Sequence, residues 1–191
     1  ERFSFFSWFV QRGYAVARVD IRGTGRSAGR LVDYEYSEQE QQDGEAVIAW
    51  LARQPFANGN VGMFGISWGG FNSIQMAMRR PPALKAIFAV DATDDLYKDD
   101  VHYIDGAFHV DEYALSVEND NILPASPHYR IDEDYLKNRF ERYPWFLTYK
   151  KRQTDGPFWR GNSLRWSYDK INIPVYLIGG LLDGYRDSIP R

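Results

Sequence analysis

Asn60-Val61-Gly62-Met63-Phe64-Gly65-Ile66-Ser67-Trp68-Gly69-Gly70 decides the fold. The apolar run at residues 61–66 reads as a short strand, and Phe71, Ile74, Gln75 and Met78 then recur at helical spacing up to Pro81. The serine at the joint fits Gly-x-Ser-x-Gly, the turn that lifts a nucleophile above a strand and onto the start of a helix. Small residues are expected two positions either side of it, because side chains there would collide with neighbouring backbone. In that geometry Ser67 Oγ stands at the helix N-terminus, and the Trp68 N–H can donate to a developing oxyanion. The competing reading is a tight glycine turn with Ser67 as an ordinary helix cap.

Working outward, the same unit repeats. Phe5, Phe6, Phe9 and Val10 predict a helix that stops at Gly13, and residues 14–20 predict a strand covered on both faces. Ser37 with Glu40 predicts a capping-box start to a helix whose buried stripe is Val47, Trp50 and Leu51, ending before Pro55. Further strands are expected at residues 84–90 and 174–179. Strands alternating with crossover helices define an α/β class with a doubly wound, mostly parallel sheet. Residues 93–170 break the rhythm: they are polar and aromatic-rich, with helices expected near 94–103 and 133–149. The expected organisation is a discontinuous core, 1–92 and 171–191, with 93–170 inserted as a cap over the carboxyl edge of the sheet, where ligands of open α/β sheets bind.

A nucleophilic serine needs a base and an orienting acid, in the order serine, acid, histidine for this architecture. Asp183, in Gly179-Gly180-Leu181-Leu182-Asp183-Gly184, follows the last strand and is the candidate acid; its plain alternative is a turn aspartate before glycine. No histidine follows it. His102, His109 and His128 all lie earlier, in the inserted segment, where each reads first as an ordinary surface or cap histidine. The base is expected beyond Arg191.

Composition narrows the rest. The 191 residues contain no cysteine, which removes disulfides, a thiol nucleophile and thiolate zinc sites. Lys+Arg at 23 against Asp+Glu at 26 leaves no basic footprint for nucleic acid, and no apolar run approaches the ~18–20 residues of a membrane span. The opening residues lack a signal-peptide pattern, so the compartment stays open with the cytoplasm favoured. Oligomeric state is not legible.

Gly13-Tyr14-Ala15-Val16, Val19-Asp20-Ile21-Arg22-Gly23-Thr24-Gly25, the string from Asn60 to Gly70, Leu84-Lys85-Ala86-Ile87, and Pro174 to Gly180 with Asp183-Gly184-Tyr185 together resemble the Xaa-Pro dipeptidyl-peptidase and cocaine-esterase-like serine hydrolases. The resemblance runs through nearly the whole chain. It implies an α/β-hydrolase fold with a helical cap and acyl transfer to water, acting on a small-molecule ester or peptide without cofactor or metal. By the same resemblance Ser67 is the nucleophile, Trp68 gives the backbone half of the oxyanion hole, and Asp183 is the triad acid. The family's oxyanion tyrosine lies upstream of Glu1 and its histidine downstream of Arg191, so the chain reads as an interior piece of the catalytic domain, nearly inactive alone.

Two other features admit competing readings. Gly23-Thr24-Gly25-Arg26-Ser27-Ala28 matches a dinucleotide fingerprint but no helix is expected to begin there, so no cofactor is assigned, and a salt bridge between Asp20 and Arg22 is expected to brace the loop. Asp94, Asp95, Asp99 and Asp100 read first as a solvated helix face; the functional alternative sets Asp99 or Asp100 in the pocket to hold a substrate ammonium. In the related α-amino-acid ester hydrolases an acid at a similar place does so with two further carboxylates, whose positions here look like Tyr185 and Arg186. Trp68 and Tyr185 are expected to line the substrate site. The rivals are a non-catalytic α/β-hydrolase-fold binding module and an enzyme with an unusual cap histidine as base.

Overall fold

The computed structural model describes residues 2–100, 102–104, 106–109, 112–124 and 128–191. In chain order the elements are helix α1 (Arg2–Val10), helix α2 (Glu38–Ala52), strand β1 (Val61–Ile66), helix α3 (Trp68–Arg79), strand β2 (Leu84–Val90), a small hairpin of β3 (Tyr103–Ile104) and β4 (Ala107–Phe108), helix α4 (Glu112–Ile122), helix α5 (Glu133–Tyr135), helix α6 (Trp145–Lys150), helix α7 (Pro157–Arg160) and strand β5 (Val175–Ile178). The sheet runs β1-β2-β5, parallel throughout, with Phe64 opposite Phe88 and Phe88 opposite Tyr176. Period-2 alternation sends Ile87 and Ala89 of β2 beneath α3, where they are buried, and turns Phe88 and Val90 to the other face.

Helix α2 starts as its sequence requires. Ser37 Oγ accepts from the Glu40 N–H at 3.4 Å, while the Glu40 carboxylate reaches back to the Tyr36 N–H at 2.7 Å, one residue earlier than a reciprocal box would take it. Its buried stripe differs from expectation at one position: Ile48 is buried and Val47 and Leu51 half-buried, but Trp50 is exposed on the outer face. Helix α1 does end before a left-handed glycine, Gly13 at φ +84°.

Three further expectations need correction. Residues 14–20 form no strand: among the described residues, no backbone hydrogen bond ends on residues 15–19, and a strand exists only through a partner. No helix forms over residues 94–100, where 96–98 make a turn, because side chains satisfy the local amides instead; Thr93 Oγ1 accepts from Asp95 N at 2.9 Å, and Asp95 Oδ1 accepts from Tyr97 N at 3.0 Å and Lys98 N at 3.1 Å. The helix expected over 133–149 is interrupted, with α5 passing into a π-turn at Leu136–Phe140 and Pro144 turning the backbone before α6.

Trp145 and Asn162 tie the later part of the chain to the layer formed by α2, α3 and the loop before α2. Trp145 Nε1 donates to Val32 O at 2.7 Å, Asn162 Nδ2 to Tyr36 O at 2.8 Å, and Gln75 Nε2 to Asn162 O at 3.4 Å. Glu118 accepts from Trp145 N at 2.8 Å, satisfying the open N-terminus of α6, and pairs with Arg142 at 2.7 Å. The salt bridge expected between Asp20 and Arg22 is absent: Arg22 holds Asp43 of α2 at 2.6 Å, and Asp20 instead accepts from Arg26 N at 3.0 Å.

Candidate active site

The turn between β1 and α3 is strained. Ser67 sits at φ +54°, ψ −118°, a region that L-residues enter at a cost of roughly 1–3 kcal/mol. Its N–H is fixed to Val90 O and its C=O to Phe71 N, both at 2.9 Å. A Cβ on Gly65 would stand 2.1 Å from the Gly69 carbonyl carbon, and one on Gly70 2.9 Å from Val90 O. The expectation of a collision at Gly69 itself is not met, since a Cβ there enters open space; the close approach is made by Gly65 and Gly70. Ser67 Oγ caps nothing in α3, which removes the ordinary-cap reading. Among the described residues the Trp68 N–H donates to no backbone acceptor, so an open donor lies next to the hydroxyl.

Asp183 follows β5 on the same carboxyl edge. Its Oδ1 accepts from Tyr185 N at 2.8 Å and its own N–H donates to Gly180 O at 3.0 Å, a turn that drives Tyr185 inward. Tyr185 is buried edge-on against Phe71 of α3, ring centroids 5.0 Å apart. With β2 between β1 and β5, the strands bearing Ser67 and Asp183 are separated by roughly 10 Å.

The surroundings are densely titratable, which the sequence did not disclose. Glu40, deep beneath the elbow, has its carboxyl pushed up to about 7 by burial, against the Tyr36 N–H and the side chains of Trp68 and Asn72, which favour the ionised form. Glu35 Oε2 receives both His102 Nε2 at 2.7 Å and Tyr149 OH at 2.8 Å, while Tyr149 OH accepts from Glu35 N at 3.0 Å. All three side chains are buried, and the His102 ring stacks on Tyr149 at 4.4 Å. Burial, followed by the charges of Glu35 and Asp100, raises the Tyr36 hydroxyl well above its ordinary range. Trp68 meets Trp145 edge-on at 6.1 Å. Only the local capping pattern of Glu40 was readable in advance; Glu35, Tyr149 and His102 are up to 114 residues apart in sequence.

The acidic run is buried, not a solvated helix face: Asp94, Asp95, Asp99 and Asp100 are all under 8% exposed. Burial works against the ionised form of Asp94, yet Arg191 and Tyr168 hold its carboxyl below the usual range. Asp95 pairs with Arg165 at 3.0 Å. Asp99 Oδ2 is held by Arg191 and by Ser188 Oγ, each at 2.8 Å, so its carboxylate is already engaged. Asp100 lies deeper, and its charge is felt by Tyr36. His102 is committed to Glu35, whereas His109 and His128 are exposed. Among the described residues neither Ser67 nor Asp183 shares a hydrogen bond with a histidine. Nor, among them, is any group of three His, Asp or Glu side chains placed to hold a metal ion, and no helix is long and apolar enough to cross a membrane.

The cocaine esterase of a Rhodococcus species is 36% identical over 107 residues, covering 51% of this chain and 18% of that protein. An α-amino acid ester hydrolase structure superposes with TM-score 0.67 at 24% identity, over 95% of this chain and 34% of that one. A CocE/NonD family hydrolase from Staphylococcus aureus gives 0.61 at 23%, over 81% and 25%. These likenesses establish an α/β-hydrolase fold, and the chain spans about a fifth of the length of the cocaine esterase and about a third of the ester hydrolase. The family model described as X-Pro dipeptidyl-peptidase (S15 family) matches residues 3–190, and the chain belongs to that family.

Proposed function

We propose that this chain carries the nucleophile of a serine hydrolase that cleaves ester or amide bonds, Xaa-Pro peptides among them, through an acyl-enzyme on Ser67. The observation that carries this reading is the strained left-handed Ser67, with its hydroxyl unused and the Trp68 N–H open beside it. Ser67 Oγ attacks the carbonyl carbon and passes its proton to a histidine; the Trp68 N–H stabilises the oxyanion. The ester C–O or amide C–N bond then breaks, and the leaving group takes the proton from the histidine. Water attacks the acyl carbon, regenerating the serine and releasing the acid. Asp183 orients the histidine, which comes from polypeptide outside residues 1–191. A histidine with a hydrogen bond at each ring nitrogen spans roughly 8 Å, comparable with the separation of the two strands. The chemistry calls for neither metal nor organic cofactor.

For the substrate, residues 93–170 act as the cap, with Trp68 and Tyr185 as apolar walls and Asp100 facing a substrate ammonium. Asp99 serves this purpose only if Arg191 releases it. The relative named cocaine esterase and the family description support esters and Xaa-Pro peptides respectively. A fluorophosphonate probe tests the core of the proposal. Residues 1–191 label slowly at Ser67, and a longer protein that supplies the histidine labels about 100- to 1,000-fold faster, with Ser67→Ala unlabelled in both. Fast labelling of residues 1–191, or labelling that survives Ser67→Ala, overturns it.

A further inference from the structure

Glu40 stands in the first turn of α2, where capping calls for one acceptor, and that need is met: Oε2 takes the Tyr36 N–H at 2.7 Å. The other oxygen, Oε1, is also sealed from solvent, and among the described residues it completes no hydrogen bond. Trp68 Nε1 is in the same condition, a buried donor whose bond is not closed. The two groups lie within each other's influence. Trp68 and Asn72 are one turn apart on α3, on the face turned toward Glu40, and both side chains draw its carboxyl toward the ionised form against the effect of burial.

The presence of an acid here is informative. A capping position takes glutamate or glutamine, and a buried carboxyl is the costlier choice. Tyr36 N–H and Trp68 Nε1–H are both donors, however. Glutamine has one acceptor oxygen and would set its NH2 against the other donor, whereas an ionised carboxylate has an oxygen for each. Both donors belong to strained backbone: Tyr36 lies at φ +62°, and Trp68 directly follows Ser67 at φ +54°. Such conformations persist only where the surroundings over-determine them. On its other side the Trp68 indole meets Trp145, which is buried and anchored to Val32 O at 2.7 Å. An indole held between Glu40 and Trp145 restrains residue 68 from carrying its backbone N–H away from Ser67.

We propose that Glu40 is a positioning residue of the active site, whose carboxylate grips the Trp68 indole N–H from beneath the elbow and so holds the Trp68 backbone N–H in place for the oxyanion. This rests on the reading of Ser67 as the nucleophile. Glu40 touches no substrate and acts through Trp68. The titratable groups that face it are Glu35 of the preceding loop and Tyr149 of α6; α3 presents the uncharged Trp68 and Asn72, and Asp43 on its own helix is paired with Arg22. The grip is full when the carboxyl is ionised and loosens on protonation, so the form that serves the site is the one that burial disfavours.

The test uses a longer protein that supplies the histidine, with p-nitrophenyl acetate as substrate. The indole N–H resonance of Trp68, assigned by its loss in Trp68→Phe, serves as an independent reporter. Glu40→Gln keeps an acceptor for the Tyr36 N–H and is expected to lower kcat about 10- to 100-fold, with KM within about twofold of the parent. In the parent the indole resonance moves as pH passes through about 7, and Glu40→Gln abolishes that step. Trp68→Phe keeps a ring and deletes the donor; adding Glu40→Gln to it changes kcat by under about twofold, because the grip is already gone. A merely structural Glu40 would lower kcat equally in both backgrounds, and that result overturns the proposal. So does an indole resonance indifferent to Glu40→Gln, or a parent-like kcat in that variant while Ser67 still takes a fluorophosphonate. A parent protein that takes no fluorophosphonate at Ser67 overturns the nucleophile reading itself, and this proposal with it.

Discussion

The two faces of the sheet differ sharply. Beneath α3, Ile87 and Ala89 are 3% and 1% exposed, and Phe71 and Ile74 interlock with them in a continuous apolar cluster. On the opposite face Phe64, Phe88 and Tyr176 form a row of cross-strand aromatic pairs about 5 Å apart, touched at one end by Phe5 of α1. Tyr176 is 64% exposed. Both faces carry the apolar residues of a strand buried on two sides, yet among the described residues only one is covered by a helix along its length, the other meeting α1 at Phe64. The contrast separates contacts this chain makes for itself from contacts its sequence is composed for and must receive elsewhere.

The largest effect therefore belongs to the covered face. Phe71→Ala removes a ring that packs on both Tyr36 and Tyr185, and is expected to cost about 3–5 kcal/mol by denaturant unfolding. An equal cost for truncating Tyr176 would break the comparison, because it would mean that the bare face is packed in solution.

The second effect is a pH dependence beneath the elbow. Burial raises the folded-state pKa of Glu40 to about 7, from a value of 4.5 when unfolded. The folded state then binds the proton more tightly, so the stability contributed by protonated Glu40 is full below pH 4.5 and is lost as pH rises through 7. The span corresponds to about 3 kcal/mol. Subtracting the pH profile of Glu40→Gln from that of the parent chain isolates the term: parent stability should fall relative to the variant between about pH 4.5 and 7.5. A flat difference would show that Glu40 is solvated and the covered side less sealed than its geometry indicates.

These two predictions rest on features of unequal legibility. The elbow, the strands at residues 61–66 and 84–90, and the helix behind Phe71 could be read from local pattern because apolar periodicity, a glycine turn and a capping serine all act within a few residues. Trp50 and residues 14–20 depart from their local pattern for the same reason: periodicity marks a residue as suited to burial, and burial itself needs a neighbour. The acidic run at Asp94, Asp95, Asp99 and Asp100 was invisible as a buried cluster because its partners Arg165, Ser188 and Arg191 arrive from about 70 to 97 residues away. Asp183 could be placed on the correct sheet edge from its position after the last strand, but the Tyr185 contact with Phe71 is a tertiary fact.

A smaller effect should come from the polar seam that fastens His102, Trp145 and Tyr149 to the layer beneath. Tyr149→Phe deletes the donor to Glu35 Oε2 and the acceptor of the Glu35 N–H, leaving a buried amide unpaired while His102 stays bonded. The expected loss is about 1–3 kcal/mol by denaturant titration. His102→Phe retains ring packing on Tyr149 and removes the other bond to Glu35. If Glu35, Tyr149 and His102 act as one network, the double variant costs less than the sum of the singles, whereas strict additivity would mean two independent contacts.

The smallest effect is expected where the sequence looks most hydrophobic. Tyr176→Ala on the bare face, and Leu182→Ser at a side chain that is 98% exposed, should each change the stability of residues 1–191 by under about 1 kcal/mol, since little area leaves contact. Burial energy follows the area removed from water and not the hydropathy of the residue, so these positions have almost nothing to lose in this chain. Their value is as reporters. In a longer protein that covers the aromatic row, Tyr176→Ala should move toward the 3–5 kcal/mol of a buried aromatic truncation. Measuring it in both settings converts the difference between the two faces into an energy for whatever packs there. A Tyr176 effect as small in the longer protein as in residues 1–191 would mean that the row stays in water and that its apolar pattern serves no internal contact.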